Sequence, residues 1–407
     1  MFLQLAWRNI WRNPRRTTVI MIAIIIGVWS MIVLGALMRG IVRQMVENNI
    51  STLTGDVQIH RQGYRNDPAV ENSITEPAEV ETALEAVLPS EAKWASRVRV
   101  NAIASTARHS TGVTLVGIDP PVEDQVSFIG PTAIIEGRYL SQEDDYGIVV
   151  GEALIEKFES RLGHKLLLMS QDVDKEIASR SYRIVGIFQA ELEVTEKQFA
   201  FVTISTAQEM LGLGNGISEV SISLKDHGEA DQVAAALKST LPAEYEIHAW
   251  KELLPLITIY LDLYDTFVFI WYLVVFIAMS FGIVNTTLMA VFERMREFGL
   301  LKALGMRPWW IIKEVLTESV FLLVMGMIVG NILGFLTVWA LSGGGIDLSA
   351  LAAGAEYAGM SRVIYPAVIA KDVVGANLVV LVLGLLVSLY PAAKAARFTA
   401  VEAMTQT

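Results

Sequence analysis

No cysteine occurs among the 407 residues, so disulfides and thiolate metal sites are excluded and cysteine usage says nothing about redox compartment. Histidine is nearly missing too. His60, His109, His164, His227 and His248 are scattered, without the H-x-x-x-H or H-E-x-x-H spacing of a helical metal site. There is no G-x-x-x-x-G-K-[ST] stretch, so no P-loop nucleotide site is expected; Leu211–Gly216 is glycine-rich but lacks the lysine and reads as a surface turn. Glu143, Asp144 and Asp145 read as a solvated acidic loop rather than a cation site. Charged residues make up only 18% of the chain. Together these gaps leave no catalytic constellation, and the chain is expected to be neither an enzyme nor the holder of a metal or cofactor.

What is present in excess is apolar sequence. The chain is 53% hydrophobic with a mean hydropathy of +0.45. Four runs carry no charged residue: 17–38, 266–292, 319–346 and 373–393. A bilayer core about 30 Å thick needs roughly 20 apolar residues of helix, so each run is long enough to span. The spacing predicts spans at 17–40, 265–292, 314–341 and 373–393, with a large domain at 41–264 between the first two. A loop at 342–372 and a tail at 394–407 complete the layout. The first run is longer than a signal-peptide core and no A-x-A-like site follows it, so an uncleaved anchor is expected.

Charge orients this layout. Arg8, Arg12, Arg15 and Arg16 precede the first run without an acid, which by the positive-inside tendency places the N-terminus in the cytoplasm. Four crossings return the C-terminus, with Lys394 and Arg397, to the same side. Residues 47–265 hold 35 acids and 17 bases, so the net charge of −11 comes from the outside domain. Arg39 and Arg43 stand against the rule and are read as part of a helix continuing beyond the bilayer. Phe2, Leu3, Leu5, Trp7, Ile10 and Trp11 interleave with Arg8 and Arg12, which suits an amphipathic helix over residues 1–16 lying on the inner surface.

The outside domain reads as α+β. Short strands are expected at 56–60, 113–118, 148–150, 182–188, 199–202 and 220–224, and helices at 152–162 and 230–241. Within the membrane the informative residues are small or polar. Gly326, Gly330 and Gly334 share one helix face and permit close backbone approach, with packing inside the subunit favoured over a dimer contact. Asn285 and Asn331 need hydrogen-bond partners at that depth. Tyr260, Tyr264, Phe267 and Trp271, with Met38, gather at the outer ends of the spans. An aromatic belt explains them; a lipid-facing access site for a substrate is the sharper alternative.

The most distinctive stretch lies between the second and third runs. Glu293, Arg294, Arg296, Glu297 and Lys302 alternate with Phe298, Leu300, Leu301 and Leu304, and Gly305 is placed to end a helix. Alternating charge with apolar contacts suits docking of residues 293–313 into a cleft on a soluble partner.

Asn285–Gly305 resembles the coupling segment of the FtsX/MacB/LolC-type ABC transporter permeases, with its E-R-x-R-E-[IF]-G core. Leu5–Arg16 is similar to that family's opening, and Ser388–Met404 to its ending, although Thr399 and Ala400 stand where proline is common. Residues 147–168 and 182–202 look like pieces of the MacB-type periplasmic core. The resemblance implies a bacterial inner-membrane subunit that relays ATPase motion to its periplasmic domain. It implies two copies of an ABC ATPase supplying ATP and Mg chemistry, a second permease copy or a paralogue, and a periplasmic chaperone or adaptor. Membrane lipids are partners and no nucleic acid is expected. In family terms the domain would combine porter-like parts at 45–120 and 203–262 with a lobe inserted at 121–202. Chain length, separate ATPase and layout favour lipoprotein release of the LolC/LolE type. MacB-like efflux of peptides or drugs, FtsX-like regulation of wall hydrolases and a sensor scaffold are the alternatives.

Overall fold

The computed structural model describes residues 7–347 and 363–399; the readings placed on residues 1–6, 348–362 and 400–407 lie outside them. The described chain divides into two compact units. One comprises the helices up to Arg43, Tyr260–Asp347 and the segment from Val363 onward; the other is built mainly from Gln44–Ile259.

Among the described residues four helices are long and apolar enough to cross a membrane: Pro14–Thr54, Pro255–Glu293, Pro308–Ser342 and Ala370–Arg397. They are termed the first to fourth spans. The first begins at a proline, where the missing N–H costs nothing, and runs unbroken past Arg39 and Arg43 to Asn49 before a wider turn at Ile50–Thr54. Residues 7–10 form a separate helical turn ahead of it, Trp7 meeting Phe321 edge-on. The helical unit packs around Ile24, Val28 and Met31 of the first span, Phe276 and Met279 of the second, Leu323 of the third and Val380 of the fourth.

The second unit is organised by ten strands: β1 (Val57–Arg61), β2 (Lys93–Ser105), β3 (Ser110–Ile118), β4 (Ile134–Gly137), β5 (Gly147–Gly151), β6 (Lys165–Gln171), β7 (Ile177–Phe188), β8 (Phe199–Thr203), β9 (Glu219–Ser223) and β10 (Tyr245–Ala249). They run in the order β10-β1-β9-β2-β3-β8-β5-β7-β4, with β6 bridging β2 and β7. The long β2 belongs to two layers. Its first half, from Lys93 to Arg97, pairs with β9 in a four-stranded antiparallel sheet. The helices Pro77–Val87 and Ala230–Thr240 pack on each other, the latter also against β10. Its second half pairs with β3 and β6. Because β3 meets β8, β8 meets β5, β5 meets β7 and β7 meets β6, the six strands close on themselves. Closure removes free strand edges.

Alternation along those strands explains the core. Val98, Val100, Ala102 and Ala104 of β2 face inward with Leu115, Val150, Leu168, Tyr182 and Val202. The opposite face of β3, β5 and β8 carries Val116, Val149 and Phe201, which pack with Phe188 and Leu140. The lobe therefore begins at Val98 within β2, not at 121, because β2 and β3 supply two of its walls. The helix expected over 152–162 stops at Lys157; Glu159 takes a φ of +46°, which a continuing helix forbids.

Candidate functional site

The end of the second span and the start of the third build one compact charged junction. The second span stops at Glu293; Arg294 leaves helical geometry, and a nine-residue helix, Met295–Ala303, follows. Gly305 ends it at φ +94°, with Met306 N–H reaching the Leu301 carbonyl at 3.0 Å and Gly305 N–H the Lys302 carbonyl at 2.9 Å. That pair of bonds is a Schellman closure, which needs a residue tolerant of positive φ. The third span starts at Pro308, which fixes the exit.

Side-chain directions divide the junction in two. Arg294 points inward: Nη1 donates to Glu318 at 2.6 Å, Nη2 donates to Glu314 and Nε donates to Glu297 at 3.3 Å. Asn9 donates to Glu318 at 2.9 Å and to Glu314 at 3.3 Å. Phe298 is buried among Val291, Ile311, Val315 and Ala395. Lys302 donates to the carbonyls of Ala396, at 2.6 Å, and Phe398. Glu293 pairs with Arg16 at 3.0 Å and Glu297 with Arg12 at 2.8 Å. The short helix is thus held at its start by the third span, along its length by a small core, and at its end by the fourth.

This corrects the sequence reading of the docking surface. Arg294, Phe298 and Lys302 face the protein, and Leu301 is half-buried. What faces outward is Arg296, Leu300 and Leu304, the last 78% exposed, beside Trp309. Leu301, Leu304, Gly305, Met306, Arg307 and Trp310 line an open hollow of about 480 Å³ there. Charge alternation alone does not separate inward from outward residues. The signal missed in the sequence was Glu314 and Glu318, four apart on the next helix and so able to share one cation.

At the other end of the helical unit, Arg39 is not an exception to be tolerated but a neutralised charge. Its Nε and Nη2 donate to both oxygens of Asp372, at 3.0 and 2.9 Å, and Asp265 lies 3.6 Å away. Its guanidinium sits 4.0 Å over the Tyr264 ring, and the Tyr264 hydroxyl donates to the Gly35 carbonyl at 3.2 Å. Tyr264 is only 5% exposed and so leaves the outward aromatic group, which retains Tyr260, Phe267 and Trp271, with Met38 also exposed.

The glycines act within the subunit. A Cβ on Gly326, Gly330 or Gly334 would meet Ile24 at 2.5 Å, Val28 at 2.8 Å or Ile32 at 3.0 Å, so each glycine receives one side chain of the first span. Asn331 and Asn377 exchange reciprocal amide bonds of 2.8 and 3.0 Å between the third and fourth spans. Asn285 differs: its side chain is exposed on the second span and has no hydrogen-bond partner among the described residues.

The second unit carries its own buried charges. Arg97 is fully enclosed, bidentate to Glu123 at 2.6 and 2.9 Å and donating to Glu219 at 3.2 Å. Burial alone would raise the Glu219 carboxyl, but Arg99, His60 and Arg97 outweigh it and bring it down to about 2. Among the described residues no three potential metal ligands cluster.

Comparison with known proteins follows the same division of the chain. The model of the MacB-like periplasmic core domain matches residues 17–240, more than half of the chain, and that of the FtsX-like permease C-terminal matches 268–400. The macrolide export ATP-binding/permease protein MacB of Marinobacter nauticus is 24% identical over 82% of this chain and 52% of its own. The pyoverdine export ATP-binding/permease protein PvdT of Pseudomonas syringae is 25% identical over 99% of this chain and 59% of its own. The lipoprotein-releasing system transmembrane protein LolC of Xylella fastidiosa is 22% identical over 78% of each. The chain thus spans little more than half the length of the first two relatives. Four helices long and apolar enough to cross a membrane, an α+β domain inserted after the first, and both family models place this chain in the MacB/FtsX family of ABC transporter permeases.

Proposed function

We propose that this chain relays the motion of a cytoplasmic ABC ATPase, present in two copies and carrying the ATP and Mg, through its spans to an extracytoplasmic domain that acts on lipid-anchored cargo. One observation carries the reading: the helix Met295–Ala303 is fastened to the third and fourth spans by Arg294, Phe298 and Lys302 while Arg296, Leu300 and Leu304 stay free on its outer face. A push on that outer face is carried inward by Arg294 to the third span, by Phe298 to the third and fourth, and by Lys302 to the end of the fourth. On this reading the junction and both termini are cytoplasmic, in the inner membrane, and the domain is periplasmic.

Lipid-anchored cargo is supported by the outward Tyr260, Phe267, Trp271 and Met38 and by the extent of the LolC alignment. A second reading, MacB-like efflux of peptides or small molecules, is supported by the match to the MacB-like core domain and by the similarity to the macrolide and pyoverdine exporters. In either case a second permease copy or paralogue is expected. Asn285 supports this: an exposed amide within an uncharged run favours a neighbouring helix that can pair with it. A periplasmic chaperone or adaptor would receive the cargo.

The test is a reconstituted complex bearing Arg296→Ala with Leu304→Ala. ATP hydrolysis should lose its dependence on cargo while the domain stays folded. Normal coupled transport by this variant refutes the relay. Release of an acylated lipoprotein, set against extrusion of a soluble peptide, decides between the two cargo readings.

A further inference from the structure

The domain holds a polar cavity of about 270 Å³ that the relay does not use, walled by residues of β1, β2, β3 and β9 with Gln198 at its edge. Its lining is unusual in how much hydrogen-bonding capacity is unspent. Arg99 stands 3.5 Å from Glu219 and 5.7 Å from the Phe199 ring centre, yet among the described residues its guanidinium donates no hydrogen bond. The Thr114 hydroxyl and the side-chain amides of Asn101 and Gln198 are likewise uncommitted there. His60, only 4% exposed, lies against the Tyr64 ring at 5.2 Å, and its Nδ1 has no partner.

The chemistry of the wall narrows the ligand. A guanidinium with free donors matches the planar fork of a carboxylate. His60 turns Nε2 toward Glu219 at 3.6 Å and its Nδ1 is enclosed by protein, so the acceptors the cavity offers to an N–H or O–H are the uncommitted oxygens of Thr114, Asn101 and Gln198. Glu219 also lines the cavity and already faces Arg99 Nη1 at 3.5 Å, so a ligand carboxylate is left the other edge of the guanidinium. Arg65 adds a second positive charge at the rim. A bare anion satisfies Arg99 but leaves those oxygens unpaired; a neutral amide does the reverse.

We infer that this cavity is a binding site for a carboxylate bearing a neighbouring N–H or O–H donor, the group found at a peptide C-terminus and in N-acyl amino acids. Arg99 takes the carboxylate, and the Thr114 hydroxyl or the side-chain amide oxygen of Asn101 or Gln198 accepts the donor hydrogen. The inference stands apart from the transport reading, since every residue involved lies inside the extracytoplasmic domain.

Isothermal titration of the full chain in nanodiscs tests it, with N-acetylglycine, an N-acetylated tetrapeptide, and the C-terminal amide of each as probes. Saturable binding is expected for the acids, weakened about tenfold or more in the amides, since a charge-assisted hydrogen bond is lost. Arg99→Gln should weaken the acids by a similar factor. Thr114→Val is the nearly isosteric second variant, whose folding is checked by thermal unfolding. Binding of both acids identifies a peptide terminus; binding of N-acetylglycine alone identifies a small free acid. No saturable binding at millimolar probe, equal binding of acids and amides, or acid binding unchanged in both variants overturns the proposal and leaves a cavity filled by water.

Discussion

Arg294 Nη1 lies 2.6 Å from Glu318 Oε1, across the turn that joins the second span to the third. Glu314, one helical turn earlier, takes the other terminal nitrogen, so a single guanidinium holds two largely buried carboxylates together. Two acids four residues apart on one helix face repel when nothing lies between them. The connecting helix is therefore fastened where its loss would be most damaging, at the break in helical geometry that starts it.

Replacing Arg294 by methionine should destabilise the helical unit by about 3–5 kcal/mol, the usual cost of removing one partner from a buried ion pair. Thermal unfolding of the detergent-purified chain measures this. A triple variant, Arg294→Met with Glu314→Gln and Glu318→Gln, should regain much of the loss because no uncompensated charge remains. If the single variant melts like the parent, the pair is ornamental.

Gly330 makes a different demand. An added Cβ would stand 2.8 Å from Val28 Cβ and 3.1 Å from the Ile25 carbonyl oxygen. Gly330→Ala should lower stability by about 1–3 kcal/mol through overpacking, and Gly330→Leu by more. The companion change Val28→Ala removes Cγ1 at 3.1 Å but keeps the Cβ at 2.8 Å, so it should relieve Gly330→Ala only in part in a double-mutant cycle, while Ala substitution at the open Gly375 should be close to neutral.

In the domain, His227 Nδ1 lies 2.6 Å from the Asp56 carboxylate, whose other oxygen accepts the Leu224 N–H at 2.7 Å. That contact raises the imidazole above its ordinary 6.5. The sign follows from linkage: the stabilisation is fully present below about pH 6.5 and is lost as pH rises through the higher folded value. The domain should therefore melt at lower temperature as pH is raised through that window, and His227→Gln should flatten the profile. A profile that is unchanged in the variant would assign the pH response to other groups.

Asn285 can be examined without background because the chain has no cysteine. Asn285→Cys should form a crosslinked pair of permease chains in native membranes, whereas Ile328→Cys, exposed on the third span, serves as the comparison. Equal crosslinking at both positions would remove the proposed interface from the second span.

Legibility in the sequence followed how local each feature is. The spans were visible because length and the absence of charge suffice, and strands such as β3, β5 and β8 because their apolar residues are contiguous. β2 went unread. In Lys93–Ser105 the alternation of Val98, Val100, Ala102 and Ala104 is present, but Arg97 and Arg99 make the stretch look solvent-facing. Only the distant Glu123 and Glu219 make Arg97 buriable, and sequence spacing does not show that they meet it. The same limit governed Arg294, whose carboxylate partners come from the following helix, and Tyr264, which shares a helical stripe with Phe267 and Trp271 yet turns inward to Arg39. Glycine periodicity, by contrast, named the face that packs; the first span as its occupant required the fold.

The account rests on the outer face of Met295–Ala303 being gripped by a motor protein, and site-directed photocrosslinking from Leu304 in native membranes tests this most directly. The account predicts a crosslinked product containing an ABC ATPase, with a yield that changes between ATP-bound and nucleotide-free states. Crosslinks only to lipid, or labelling of Leu304→Cys by a membrane-impermeant reagent from the side that holds the large domain, would contradict it.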